Sequence, residues 1–355
     1  MFPRHPAAGR VRLLVLSACL AALLALPASS SAAPPVGGKA YVALGDSYSS
    51  GPGLDPTREA GCGRSQVNYA SRVAGAFGLG AERRGRWADY SCAGASATTN
   101  AGTPISVVDQ IGWAVGDRAL GPATRTVTFT AGGNDGWVGK DHDTLYEVLT
   151  ECIRAGTPCG PARRAGPIAQ LLPEFLTSLL PSGVMRLVSS VLAGDDEQGR
   201  WLSPADLTPA RMTAKLRPAV TAIRARARNA TVAIVGYPRV VPPAGSAGCA
   251  GPLGLGWSLD PDEIVYLDGL LAAYDRAQRA AVAELNRTAG PVEYVDLRTP
   301  STGHDLCAGG QGWVNAPILA GLGFLGDSLH PSISGMDQIA DAVEAVASAA
   351  GLRRR

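Results

Sequence analysis

The chain has 355 residues, 32 Lys and Arg against 30 Asp and Glu, and a formal net charge of +2. With the arginines scattered along the chain, that balance speaks against a nucleic-acid partner, which would need a basic face. The length suits either two domains or one large α/β domain with decorations.

In chain order, Arg4, Arg10 and Arg12 precede an apolar run at 13–26 and the small residues PASSSAA at 27–33. Positive, apolar and small segments in that order read as a secretory signal peptide over residues 1–33. The apolar part falls short of the ~18 residues that span a bilayer, and no later run reaches that length, so export without a membrane anchor is expected. Cys19 lies inside the apolar run, without the processing context of a lipoprotein. Loss of the leader removes three arginines and no acids, leaving a nearly neutral chain whose terminal RRR reads as a solvated tail.

Short β-rich runs follow, each bounded by Gly, Pro or Asp: KAYVAL at 39–44, the weaker RWADYS at 86–91, RTVTFTA at 125–131, ATVAIVG at 230–236 and PVEYVDL at 291–297. Helical periodicity is clearest at 262–287, where Ile264, Leu267, Leu271, Tyr274 and Ala281 share a face, and at 334–350. Strands that are apolar throughout, alternating with helices, predict a parallel sheet covered on both sides. The stretch 161–206 breaks this rhythm, being apolar, interrupted at Pro173 and Pro181, and then charged. It predicts two or three short helices inserted between the third and fourth strands, enlarging the core rather than forming a lid over a site.

Of seven cysteines, Cys19 falls in the leader and six remain. An even number in an exported chain reads as disulfides. Sequence neighbours favour Cys62 with Cys92, Cys152 with Cys159, and Cys249 with Cys307. With no CxxC pair and only His142, His304 and His330 left after processing, no metal site is expected.

The first strand leaves through Gly45-Asp46-Ser47-Tyr48-Ser49-Ser50-Gly51. Gly, Asp and Ser end strands readily, but ligands of open α/β sheets also bind at this edge, where Ser47 would act as a nucleophile. A serine nucleophile requires a base, an orienting group and donors for the oxyanion. His142 lies in the charged KDHDT and His304 beside a cysteine. His330 sits in GDSLHPSISG before the last helix, with Pro331 after it and Asp327 three residues earlier, within turn distance of its second ring nitrogen. AGGND projects the Asn134 amide from a strand end, and SCAGAS leaves the Gly94 N–H without a side chain to block it. With the Ser47 N–H these would make a three-point oxyanion hole. Each has an ordinary structural reading alone, which the company of the others weakens. Asp46 is read as supporting the turn.

In this order GDSYSSG, AGAS, GGND and DSLHP resemble the SGNH or GDSL hydrolase superfamily. The disulfide set, the VALGDSYSSG opening and VGYPR after the fourth strand are most similar to its secreted bacterial lipase and esterase branch. The resemblance covers nearly all of residues 38–350 apart from the insertion at 161–206, so residues 34–355 are expected to form a single domain. It implies a three-layer α/β/α, flavodoxin-like fold with about five parallel strands rather than the α/β-hydrolase fold, in keeping with the absence of a G-x-S-x-G elbow. It further implies Ser47 as nucleophile, His330 as base, and the Ser47 and Gly94 N–H groups with the Asn134 amide as the oxyanion hole. Asp327 matches the family's orienting position, although a backbone carbonyl takes that role in some secreted members. The implied reaction is ester hydrolysis through an acyl-enzyme, without metal or organic cofactor. A monomer acting on a small-molecule or lipid ester, with transient contact to a lipid interface, is expected. The apolar insertion favours lipid acyl esters; a carbohydrate acetyl esterase or a non-catalytic binding module are the alternatives.

Overall fold

Five of the predicted runs pair into one sheet. In the computed structural model, which describes residues 37–99, 103–137, 144–153, 159, 201–251, 256–317, 319–320, 323–324 and 328–353, they are β1 (Tyr41–Gly45), β2 (Trp87–Asp89), β3 (Thr126–Thr130), β4 (Thr231–Val235) and β5 (Val292–Val295). Their spatial order is β2-β1-β3-β4-β5 and every pairing is parallel, with Tyr41 opposite both Trp87 and Thr126. This is the flavodoxin-like order, which reverses direction at β1 and opens a crevice beyond the strand ends there. RWADYS does form a strand, the short edge strand β2.

Side chains alternate between the two faces, as the strand period of two requires. Val42, Leu44, Val127, Phe129, Val232 and Ile234 point to one layer, and Tyr41, Ala43, Ala233 and Val235 to the other. The helices, numbered along the chain, are α1 (Ser47–Ser50), α2 (Tyr69–Ala76), α3 (Val107–Gly116), α4 (Leu145–Ile153), α5 (Pro209–Arg226), α6 (Pro261–Ala289) and α7 (Ile333–Ala349). The second face is covered by α2 and α7 through Val73, Met336, Ile339 and Val343. The first is covered by α3, α5 and α6 through Ile111, Leu216, Val220, Ile264, Leu267 and Leu271. All five residues predicted on one face of α6 are buried. Fully burying one such aliphatic side chain contributes about 1.5–3 kcal/mol, so α6 is held by its stripe rather than by its mixed composition. Its start is fixed by a capping box: Asp260 accepts from the Glu263 N–H at 2.8 Å, and Glu263 accepts from the Asp260 N–H at 2.8 Å.

One expectation fails in β3. Its Thr126, Thr128 and Thr130 are buried, so this strand is apolar on one face only. Thr128 bonds the Tyr41 hydroxyl at 2.9 Å and accepts from that of Tyr69 at 3.2 Å, while Thr130 bonds Ser49 at 2.9 Å. The hydroxyls of Thr128 and Thr130 are thus satisfied inside the core, the usual condition for burying them, whereas that of Thr126 is buried without a partner among the described residues.

The three disulfides join Cys62 to Cys92, Cys152 to Cys159 and Cys249 to Cys307, as the neighbour pairing predicts. Gly37–Arg355 form one compact unit. Residues 1–36, where the signal peptide is expected, His142, Asp327 and residues 161–200 of the insertion lie outside the described residues. Among the described residues no helix is long and apolar enough to cross a membrane, and no group of His, Cys, Asp and Glu is arranged to hold a metal.

Candidate active site

The turn after β1 is built so that only glycine can begin it. Gly45 has φ +122°, and a Cβ there would lie 2.5 Å from Ser49 Oγ and 2.6 Å from the Thr130 nitrogen. Gln110 of α3, fully buried, clamps it from both sides: Gly45 N–H donates to Oε1 at 2.7 Å and Nε2 donates to the Gly45 carbonyl at 2.9 Å. Asp46 then caps α1, accepting from the Tyr48 N–H at 2.9 Å. Its carboxyl also accepts from the Thr130 hydroxyl at 2.5 Å and from the Tyr237 hydroxyl. Burial pushes this carboxyl above its ordinary range, and the three donors work against that rise. Asp46 is thus fully engaged in holding the turn. Ser47 is the first residue of α1, where a backbone N–H has no intrahelical acceptor. That N–H donates to no other described residue.

Beside this turn lies the loop after β2. Gly94 is exposed with φ +78°, and a Cβ on it would meet nothing within 4 Å. Glycine is therefore required by the left-handed backbone here, not by close approach of a neighbour. Its N–H, like that of Ser47, donates to no other described residue. The loop is tied down at each side. Cys92 is bridged to Cys62 and its N–H donates to the Gly45 carbonyl at 2.9 Å. Beyond Gly94, the Ala95 carbonyl accepts from Asn134 Nδ2 at 3.1 Å and the Ala97 N–H donates to Asp135 at 2.7 Å. Asp135 is wholly buried and is matched by Lys215 of α5 at 3.4 Å. One of the two Asn134 amide hydrogens is used on Ala95, which fixes the side chain and aims the other away from that bond.

His330 is 6% exposed, with Tyr146 stacked on its ring at 5.8 Å between centroids and Tyr48 tilted against it at 5.8 Å. Its backbone is held by Asn315, whose N–H donates to the His330 carbonyl at 2.9 Å and whose carbonyl accepts from Leu329 at 3.0 Å. His304 is elsewhere, stacked on Trp313 at 5.1 Å with Nδ1 against the Gln311 carbonyl at 2.8 Å.

A pocket enclosing about 410 Å³ of free space, mouth included, is lined by Asp46, Ser47, Gly133 and Asn134 on its polar side. Its other walls are Leu145 and Leu149 of α4, Val240, Leu271, Leu329 and the rings of Tyr48, Tyr146 and Tyr237. The structure therefore brings Ser47 and Asn134 into one pocket, the Gly94 loop against Asn134, and His330 against two of the rings that line it. Sequence reasoning did not single out Tyr146, Gln110 or Tyr237. The last accepts from the Gly133 N–H at 3.0 Å while donating to Asp46, and so joins the ends of β1 and β3. The VGYPR motif held that tyrosine, but its partners lie far away in sequence.

With this geometry in view, the GDSL-like Lipase/Acylhydrolase family matches residues 43–338. The chain belongs to that family. Lipase 2 of Streptomyces coelicolor is 31% identical over 306 residues, covering 85% of this chain and 83% of that protein. Membership of the family makes the chain a carboxylic ester hydrolase. Among solved structures, phospholipase A1 from Streptomyces albidoflavus is 22% identical with a TM-score of 0.50, covering 87% of this chain and 99% of that one. At that identity the likeness bears on the fold, which is the α/β/α sandwich the resemblance implied.

Proposed function

We propose that the protein is an exported esterase of lipid acyl chains that works through an acyl-enzyme on Ser47. The supporting observation is the pocket itself, whose described lining is polar at Asp46, Ser47, Gly133 and Asn134 and otherwise consists of aliphatic side chains and tyrosine rings. His330 takes the Ser47 proton as the oxygen attacks the ester carbonyl. The Ser47 and Gly94 N–H groups and the Asn134 amide receive the negative charge on the tetrahedral oxygen. Collapse expels the alcohol, which leaves with the proton from His330; water, deprotonated by the same ring, then releases the acid and restores Ser47. Asp327, at the Asp-x-x-His spacing, orients the ring. Residues 1–33 direct export, and residues 34–355 act as one domain and as a monomer, touching lipid interfaces only transiently.

An acetyl group has no use for five aliphatic and three aromatic walls, whereas each added methylene that reaches them contributes about 0.8 kcal/mol, or roughly fourfold in rate constant. The test is hydrolysis of p-nitrophenyl esters from two to sixteen carbons by the mature chain, beside Ser47→Ala. Expected are loss of activity in the variant and a kcat/KM that climbs with chain length before levelling. A preference for acetyl esters would replace the lipid reading, and full activity in the variant would remove Ser47 from the mechanism.

A further inference from the structure

The residue after the nucleophile makes a contact that the reaction above does not use. Tyr48 is 9% exposed, and its hydroxyl donates to the backbone carbonyl of Leu329 at 2.6 Å, across 281 positions of chain. Leu329 directly precedes His330 and has φ +61°, a left-handed conformation that a branched side chain rarely adopts. Such a conformation persists only where its surroundings over-determine it. Its N–H is held by Asn315, while its carbonyl has Tyr48 as its donor. At its other end Tyr48 is equally fixed: its own N–H is bonded to Asp46, and its ring meets Tyr237 edge-on at 4.8 Å.

We propose that Tyr48 is a positioning residue that sets His330 against Ser47, its hydroxyl holding the peptide before the base in a left-handed turn that leucine would otherwise leave. The inference rests on the roles given above to Ser47 and His330. Base and nucleophile come from opposite ends of the chain, yet one rigid side chain, adjacent to the nucleophile in sequence and bonded to the residue before the base, spans them. A phenylalanine would fill the same space and touch the same rings, so the hydroxyl is what the geometry requires. Burial raises the hydroxyl well above its ordinary range, which keeps it a donor throughout the neutral and mildly alkaline range.

The experiment compares wild type, Tyr48→Phe, Leu329→Gly, the double variant and Ser47→Ala on one p-nitrophenyl ester, with kcat, KM and unfolding temperature measured for each. Tyr48→Phe is expected to lower kcat by about 10²-fold with KM within about twofold, as for a misplaced rather than missing catalytic group. Because glycine accepts the left-handed angle without strain, the same substitution in the Leu329→Gly background is expected to cost less than about fivefold. A kcat for Tyr48→Phe within about threefold of wild type, or a loss equally large in both backgrounds, overturns the proposal. If Tyr48→Phe fails to fold, recovery of folding in the double variant supports it and no recovery overturns it. Ser47→Ala separates the two levels: if it is inactive while Tyr48→Phe is normal, only the positioning role fails, and if it is active the underlying mechanism fails.

Discussion

Replacement of Asn134 by alanine removes two bonds that differ in kind. One amide hydrogen meets the Ala95 carbonyl at 3.1 Å, an ordinary neutral bond worth about 1 kcal/mol to the fold. For a domain of this size that lowers the unfolding temperature by only about 2 °C. Asn134 also lines the pocket, and the proposed mechanism assigns its other hydrogen to the tetrahedral oxygen, where losing one such donor raises the barrier by about 2.7–4 kcal/mol. Asn134→Ala is therefore expected to lower kcat/KM by about 10²–10³-fold while the protein remains folded. Asn134→Asp keeps the shape but turns acceptor oxygens toward both the Ala95 carbonyl and the developing anion, so it is expected to be slower than the alanine variant. The assay is steady-state hydrolysis of a p-nitrophenyl ester beside a thermal melt of each variant. A loss below about tenfold for alanine, or an aspartate variant faster than alanine, would refute the placement of Asn134 in the oxyanion hole.

Gly45→Ala would set a Cβ 2.6 Å from the Thr130 nitrogen and 2.8 Å from its oxygen at φ +122°, between strands that cannot part without losing their pairing. Strain of about 1–2 kcal/mol and overpacking of about 1–3 kcal/mol predict a destabilisation of about 2–5 kcal/mol in urea titration; a value under about 1 kcal/mol contradicts it. Cys62 and Cys92 close a loop with a sequence separation of 30, for which chain entropy predicts about 3.6 kcal/mol, so the double serine variant should lose stability of that order. Unchanged stability would show that the loops are held by their hydrogen bonds alone. Asp46 has a folded-state value raised by burial, so its contribution to stability is fully present below the ordinary value of about 3.9 and is lost as pH rises through the folded value. Asp46→Asn should flatten the pH dependence of unfolding free energy in that acidic window, and an unaltered slope would count against the raised carboxyl.

How much of this was legible depended on the range over which each signal acts. The five strands and the two long helices announce themselves because a run of β-branched residues or a sustained 3.6-residue stripe is a local pattern. The shorter helices α2, α3 and α4 offer only two or three turns of that pattern, and α5 dilutes it with Lys and Arg on its exposed side. The threonines of β3 read as part of an apolar strand because their partners, Tyr41, Tyr69 and Ser49, come from other elements. The candidate site residues Ser47, Gly94, Asn134 and His330 could be named because each sits in a short motif at a strand end or before a helix. What no motif contains is how those pieces are held to one another.

That holding is where the architecture places its demands. A parallel sheet delivers four loops to one edge, but no single strand or helix carries two of the candidate groups, so their mutual geometry must be made by contacts between loops. Among these contacts are polar latches: Gln110 on Gly45, Tyr237 between Gly133 and Asp46, Asn134 on Ala95, and Tyr48 on Leu329. The sheet beneath is secured by two apolar layers, and removing one latch leaves those layers intact. Loss of a latch should therefore appear as misplacement of a reacting group more than as unfolding. It also accounts for tyrosines at positions 48 and 237, where phenylalanine would satisfy the packing but lose the bond to Leu329 or those to Gly133 and Asp46.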